Sequence, residues 1–464
     1  MDNEIIVGLD IGTTKIACFV GMRAENGKVK ILGFGKTASV GVEHGVVKSI
    51  TGTAESITKA VNEAADQAGV DIDEVWVGIA GQHIKSRPSQ GSVMIPPDHE
   101  LIEQEDVDRI ISEQYNTMLE PGEEIIHVFP QQYIVDREPL SREIPPVGVA
   151  GKKLEATFHM VTANVQNLQY IKYAVERAGL KIKGVVLEPI ASAKAVLDDR
   201  DRDAGVAMVD IGGGTTDIAI FHDGIIRHTS VLPLAGNAIT NDICEGCNIL
   251  KKQAESLKVK FGSCLVQAVS ENDVISIPGI RSQAPREIYV KTLAGIINAR
   301  TKMIMEQVDY EIKLSGFGSK LIAGVVLTGG GAQLKNIKEL CELITTTDTR
   351  IGIPNEHLDT ESVSYADLAH PMYATGIGLV LYGLEQAERE HMDDEPEQET
   401  SRQANGHVDI FAGMPDTPST EPAPQETDAK TKDKKAKDKD KGKGKFEDVL
   451  GRFFTSVFNE GIDD

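Results

Sequence analysis

Two short stretches of the chain combine glycine, threonine and aspartate in a pattern suited to holding phosphate. Gly12, Thr13, Thr14 and Lys15 form GTTK after Asp10, and Gly212, Gly213, Gly214, Thr215, Thr216 and Asp217 form GGGTTD after Asp210. Turns that lack Cβ atoms let backbone N–H groups approach an anion, and threonine hydroxyls add further donors. An aspartate at the end of the strand leading into each turn suits Mg2+ held through water, because that ion keeps most of its hydration shell. Lys15 supplies a point charge for a β- or γ-phosphate. One such turn alone reads as an ordinary hairpin with a surface aspartate. Two of them, with a third glycine cluster at Gly329, Gly330 and Gly331 in VVLTGGGAQL, make that ordinary reading improbable and a phosphate-bearing ligand with Mg2+ the expectation.

The turns need strands to present them, and the sequence repeats those strands. IVGLDIGTTKIACFV at Ile6–Val20 matches VAMVDIGGGTTDIAIF at Val206–Phe221, with Asp10, Ile11 and Gly12 falling on Asp210, Ile211 and Gly212 and a longer glycine turn in the second copy. A hairpin repeated at such a distance predicts two related domains facing one another rather than a solenoid. From the N-terminus to about residue 385, short β-branched strands alternate with amphipathic helical stretches such as TAESITKAVNEAADQAG, an α/β rhythm. A chain of 464 residues exceeds one ordinary core.

Composition narrows the class. A net charge of −23 argues against general nucleic-acid binding, since every phosphate contact would work against long-range repulsion. Apolar runs fall well short of the roughly 20 residues of a spanning helix, and MDNEIIVGLD lacks the basic start and apolar run of a signal peptide. The five cysteines (Cys18, Cys244, Cys247, Cys264 and Cys341) suit a reducing compartment. Cys244 and Cys247 form a C-x-x-C without a second ligand pair at zinc-site spacing, so they read as free thiols.

After Gln386 the composition turns to Glu, Asp, Pro, Ser and Thr, which cannot bury enough apolar surface to offset chain entropy. Residues 386–445 read as a disordered linker, with HVDIFAGM at His407–Met414 an apolar island inside it. The linker ends in Lys430–Lys445, where nine lysines face three aspartates. Beyond it Phe446, Val449, Leu450, Phe453, Phe454, Val457 and Phe458 recur at helical spacing and make one apolar face. A terminal helix usually packs on its own core. Separated from the body by a long linker and flanked by lysines, this one reads as a reversible anchor on the cytoplasmic surface of the membrane, strengthened by avidity when several chains assemble. Its own polar side carries Glu447, Asp448 and Glu460, so attraction to anionic lipid rests on the lysines.

Five segments in order resemble the actin, hexokinase and Hsp70 ATPase superfamily: GLDIGTTK, LEPIASAKAVL (Leu187–Leu197), DIGGGTTD, VLTGGGAQL and ATGIGLVLYG (Ala374–Gly383). The resemblance implies an α/β, actin-like ATPase fold in which two domains close over the nucleotide and two connecting helices form the hinge. QAESLKVKFG resembles the helix that brings a glutamate, here Glu255, near the ribose in bacterial actin-like proteins, with Lys258 one turn on. The segments LIEQEDVDRIISEQY, HVFPQQYIVDREP and VGVAGKKLEATFHMVTA resemble the relocated subdomain 1C of the FtsA family of bacterial cell-division proteins.

That resemblance implies subdomain 1A at 1–84 and 163–190, 1C at 85–162, 2A at 191–236 and 318–365, 2B at 237–317, and a returning helix at 366–385, then the linker and a membrane helix at 446–464. It further implies a peripheral protein that polymerises at the division site and tethers FtsZ filaments, whose C-terminal peptide would meet Arg281, Arg286 and Arg300. Glu188 stands where Hsp70 proteins carry a Glu-Pro pair; it either activates the attacking water, or holds hydrated Mg2+ or caps the following helix. The competing class is a sugar or metabolite kinase of the same superfold, because fold alone does not fix function. A kinase needs a base near an acceptor hydroxyl, for which no motif is evident, and has no use for the tail.

Overall fold

The computed structural model describes residues 4–278 and 285–394. Arg281, the linker from residue 395 with its apolar island and lysine tract, and the expected membrane face (Phe446, Val449, Leu450, Phe453, Phe454, Val457 and Phe458) lie outside the described residues.

Strand Ile6–Ile11 is buried along its whole length, as expected of a strand covered on both faces. It is the middle of a five-stranded sheet ordered Lys181–Leu187, Glu74–Ile79, Ile6–Ile11, Lys15–Arg23, Val29–Ala38. A second sheet has the matching order Thr349–Ile351, Val325–Thr328, Val206–Ile211, Thr216–His222, Ile225–Leu232. In each, an antiparallel meander of three strands is followed on the other side by two parallel ones. The duplication read from the hairpins therefore extends over both whole sheets.

The second turn is not the longer one. Ile11 pairs with Ile16 and Ile211 with Thr216, so each hairpin encloses four residues and the copies align at a constant offset of 200. Thr216 and Asp217 look like turn residues in sequence but belong to the strand, where Asp217 pairs with Asp210. Lys15 thus corresponds to Thr215, and Ala17 to Asp217.

Helices Glu188–Val196 and Ala374–Asp394 cross between the two sheets. Their backbones touch at Gly378, where a Cβ would come within 1.8 Å of the Ala191 carbonyl oxygen, so no other residue fits. Around this crossing a single buried cluster takes in Phe19 and Trp76 from the first sheet, Met208, Phe221 and Val326 from the second, and Ile377 and Val380 from the returning helix. The lobes share one core at the hinge. The expected end of the returning helix at 385 is overturned: it continues to Asp394, because EQAEREHMDD is polar yet made largely of helix formers. Arg23 pairs with Glu388 at 2.8 Å, Lys183 with Glu390 at 3.7 Å and Glu4 with His391 at 3.3 Å, holding this extension on the first lobe.

Between strands Glu74–Ile79 and Lys181–Leu187 the chain inserts a separate antiparallel sheet, ordered Lys85–Met94, Lys153–Asn164, Glu123–Val135, Glu138–Pro139. Alternation along its strands gives it two faces. Leu154, Phe158 and Met160 point to one side and pack with Val107, Ile110 and Ile111 of helix Gln104–Tyr115. The other face meets the two lobes. In the second lobe, helices Gly236–Cys247, Lys251–Phe261 and Val290–Leu314 and the hairpin Val274–Ile277/Arg286–Tyr289 form an outer layer. Among the described residues no helix is long and apolar enough to cross a membrane. All five cysteines are free thiols, in line with the sequence reading.

Candidate nucleotide site

The two hairpin turns face each other across the hinge. A Cβ on Gly213 would lie 2.3 Å from Thr14 Cγ2, and one on Gly214 would lie 2.4 Å from Thr13 Oγ1, so glycine at both positions is what lets the opposing turns approach. The loop Gly41–Gly45 clips them together: the Gly45 N–H donates to Thr13 Oγ1 at 3.1 Å, and His44 Nδ1 donates to the Gly214 carbonyl at 3.0 Å. Nothing in the sequence singled out GVEHG, beyond two glycines flanking a histidine.

Beside the turns lies an unbalanced cluster of charge. Asp10, Asp210 and Asp217 are buried, and Glu188 stands with its Cγ 3.2 Å from where a Cβ of Gly78 would be. Lys15 reaches into this group and pairs with Asp10 at 2.5 Å. Burial pulls the Lys15 ammonium down, but Asp10, with Asp210 and Glu188 behind it, outweighs that and holds it above its ordinary value. Burial, and then repulsion from Asp10, Asp217 and Asp210, raises the Glu188 carboxyl well above its usual range. Asp217 is raised by burial and by Asp210. Four carboxyl groups share one ammonium, and one oxygen of Asp217 is buried without a hydrogen-bond partner while the other accepts from Thr215 at 2.9 Å. Such a group calls for a cation. The unpartnered Asp217 oxygen, with Asp10, Asp210 and Glu188 beside it, fits a hydrated divalent cation such as Mg2+.

Asp210 also ties the hinge together. Ser192 Oγ, on the first connecting helix, donates to Asp210 Oδ2 at 2.6 Å, and Thr375 Oγ1, on the returning helix, donates to the same oxygen at 3.1 Å. These hydrogen bonds oppose the rise that burial imposes on Asp210. Sequence reading missed both partners, although each hydroxyl stands among small apolar residues in IASAK and ATGIG.

The third glycine cluster sits on the same strand ends. A Cβ on Gly329 would be 2.2 Å from Asp210 Oδ1, and one on Gly331 would be 2.4 Å from Ile211 Cγ2, while Gly330 faces open space. Lys258 donates to the Gly236 carbonyl at 3.0 Å and to Thr240 at 2.8 Å, and pairs with Glu255 at 2.8 Å. Since the Gly236 N–H donates to the Gly212 carbonyl at 3.1 Å, Glu255 and Lys258 join the second turn through one intervening residue.

Asp10, the residues of both turns, Glu188 and Gly329–Gly331 are thus brought to one locality. Arg286 and Arg300 are placed elsewhere in the second lobe. Arg300 is engaged by Asp242 through two bonds of 2.6 and 2.9 Å, and Arg286 donates to the Cys247 and Asn248 carbonyls at 2.8 and 2.6 Å. An acidic peptide at Arg286 or Arg300 would have to compete with these contacts.

Comparisons with known proteins follow this layout. The family model "Cell division protein FtsA" matches residues 207–378, "SHS2 domain inserted in FTSA" matches 81–162, and "Hsp70 protein" matches 164–230. The inserted sheet coincides with the second of these. The cell division protein FtsA of Pseudomonas aeruginosa is 37% identical over 382 residues, 82% of this chain and 90% of that protein. The chain belongs to the FtsA family. The Escherichia coli K12 member is 34% identical over 405 residues, 86% of this chain and 94% of its own length. The Neisseria meningitidis member is 37% identical over 373 residues, 80% and 88%. Among solved structures, a PilM-PilN type IV pilus biogenesis complex shares the fold at a TM-score of 0.59 and 16% identity, covering 82% of this chain and 98% of that one. The fold is the actin-like ATPase fold, which implies binding of a nucleotide with a divalent metal.

Proposed function

We propose that this protein is an ATP-binding, actin-like cell-division protein that assembles on the cytoplasmic face of the membrane and holds FtsZ filaments there. The observation that carries the reading is the pair of opposed four-residue glycine turns with Asp10, Glu188, Asp210 and Asp217 gathered around Lys15. Family membership and the inserted domain at 81–162 favour division over small-molecule phosphorylation.

In this reading Gly12–Thr14 and Gly212–Thr215 offer backbone N–H groups and hydroxyls to the phosphates from both lobes, and Lys15 adds a charge. Asp10, Asp210 and Asp217 are the residues that would hold Mg2+ through water, and the bound ion neutralises phosphate charge. Glu188 regains its carboxylate form once the surrounding negative charge is balanced, and only that form can accept a proton from water. In this reading nucleotide acts chiefly to hold the lobes together, with turnover slow. Glu255 and Lys258 lie one residue behind the second turn, suited to the ribose side. The tail beyond the described residues supplies the anchor, from the apolar face of Phe446–Phe458 and the lysines before it.

The deciding experiment sediments the full-length chain with anionic liposomes, with and without Mg-ATP and FtsZ. Co-sedimentation that ATP strengthens, and recruitment of FtsZ only when this protein is present, are the expected results. ATP binding without liposome or FtsZ association would reject the tethering role.

A further inference from the structure

The inner face of the inserted sheet carries a line of residues that reaches both lobes. Cross-strand register puts Ser86, His127 and Val161 on one side, with Phe129 and His159 directly opposed one step along. The rings of His127, Phe129 and His159 stack in sequence, at centroid distances of 5.4 and 6.4 Å and interplanar angles of 29° and 27°. Phe129 packs against the core of the first lobe and against the cluster at the hinge.

The two ends of this column meet different lobes. At one end His127 Nε2 accepts the N–H of Leu187 at 3.3 Å, in buried surroundings. Leu187 is the last residue of an edge strand and the N-cap of the helix that begins at Glu188, and no side chain of its own caps that helix. At the other end His159 Nε2 bonds Thr229 Oγ1 at 3.0 Å, on the edge strand Ile225–Leu232 of the second lobe. Ser86 Oγ donates to the Thr229 carbonyl at 2.8 Å and Gln131 Nε2 to the Ile226 carbonyl at 2.8 Å, so the seat on that strand is made of several bonds.

We propose that His127 is a positioning residue for Glu188, acting through the Leu187 amide, and that the His127–Phe129–His159 column makes this positioning depend on how the second lobe seats against the inserted sheet. An edge-strand N–H without a partner is free to exchange and to twist, and the residue that follows it carries a cleft carboxylate. With His127 in place, the backbone that aims Glu188 is fixed from outside its own lobe. Movement of strand Ile225–Leu232 reaches Thr229, then His159, Phe129 and His127 as a packed series, because close-packed rings transmit displacement rather than absorb it. The inserted domain is therefore a reporter of lobe closure as well as an appendage. The inference rests on the reading of the cleft as a nucleotide site with Glu188 in it.

The test compares wild type, His127→Ala, His127→Gln and Thr229→Val as full-length protein. Amide exchange at Leu187, Glu188 and Ile190 is measured with and without Mg-ATP, alongside nucleotide affinity by calorimetry and single-turnover ATP cleavage. The alanine variant should exchange the Leu187 amide about tenfold faster, as expected for a buried donor that loses its acceptor, with nucleotide affinity within about twofold of wild type. Protection of Leu187, Glu188 and Ile190 by nucleotide should be lost in it, restored by the glutamine variant, whose amide oxygen can accept the bond, and weakened in Thr229→Val, which leaves His127 untouched. Faster exchange with unchanged nucleotide-dependent protection would mean His127 is only a structural support and would overturn the proposal. So would a Thr229→Val protein identical to wild type in that protection. A wild type that binds no nucleotide would instead reject the cleft assignment itself, and calorimetry separates the two failures.

Discussion

Ser192 and Asp210 are joined by a buried O–H···O bond of 2.6 Å that links the first connecting helix to the strand end of the second lobe, and Thr375 on the returning helix donates to the same carboxylate oxygen. The two hydroxyls also lie 3.0 Å apart, so three elements that must shift together on closure meet at one carboxylate. Ser192→Ala and Thr375→Val should each destabilise the protein by about 1–3 kcal/mol, the range for removing a partner from a buried ionisable acceptor. Because they share an acceptor, the double variant should depart from additivity by about 0.5 kcal/mol or more in a double-mutant cycle read by denaturant unfolding. Strict additivity would show that the hinge junction does not act as a unit.

Gly213→Val should lower ATP affinity by at least about tenfold, or 1.4 kcal/mol, in calorimetry. Its side chain would collide with Thr14 and force the opposed turns apart, a different route from simple obstruction of phosphate. Asp210→Ala should also abolish tight binding while keeping a cooperative melt, since Ser192 and Thr375 can still bond each other. Wild-type affinity in either variant would reject the cleft assignment.

Stability should fall in mild acid through two histidines. Burial pushes His83 down to about 4, and burial aided by His228 does the same to His159. An unfolded imidazole titrates near its ordinary 6.5. Between those values the unfolded chain takes up protons that the folded chain refuses, so these sites leave stability intact above 6.5 and erode it as pH falls towards 4. Each contributes at most about 3 kcal/mol of loss at the acid end. Neither ring nitrogen of His83 has a hydrogen-bond partner, so His83→Leu should remove its share without breaking a bond. Denaturant titrations at pH 7.5 and pH 5 should show a smaller pH difference in this variant than in wild type.

Phe454→Glu should release the protein from liposomes even when it is polymerised, because a charge at the centre of the apolar face costs about 2–4 kcal/mol against a marginal net affinity. Neutralising Lys430–Lys445 should weaken attachment less, and in a salt-dependent way. ATP affinity should be unchanged by either. Co-sedimentation of the glutamate variant at wild-type levels would mean that the tail is not the anchor.

What the sequence disclosed and what it hid follow from the range of the interactions involved. The glycine turns and their leading aspartates were legible because a turn and a strand end are local chemistry, and the repeat of Asp10–Gly12 at Asp210–Gly212 disclosed two domains. The length of the second turn is not legible because Thr216 directly follows the glycine run and Asp217 is a turn former by type, and only pairing with Ile211 and Asp210 draws them into the strand. Ser192 and Thr375 were not legible as partners of Asp210, since they are 18 and 165 residues away and meet it only where two helices cross. The extension of the last helix to Asp394 was hidden by polar composition, which its ion pairs to Arg23 and Lys183 turn into a reason for order.

The constant offset of 200 between the hairpins carries a consequence for descent. If the halves arose by duplication of one unit, the unit's own ancestor would have faced an identical copy across a two-fold axis. Two identical copies would have brought two lysines from the fourth turn position, or two aspartates from two residues later, into one cleft. A nucleotide has no two-fold symmetry. Fusion into one chain freed the copies to differ, so that Lys15 is matched by Thr215 and Ala17 by Asp217 at the equivalent positions. Lys15, Asp10 and Glu188 come to the cleft from the first half and Asp210 and Asp217 from the second, an asymmetry that a symmetric pair could not have held.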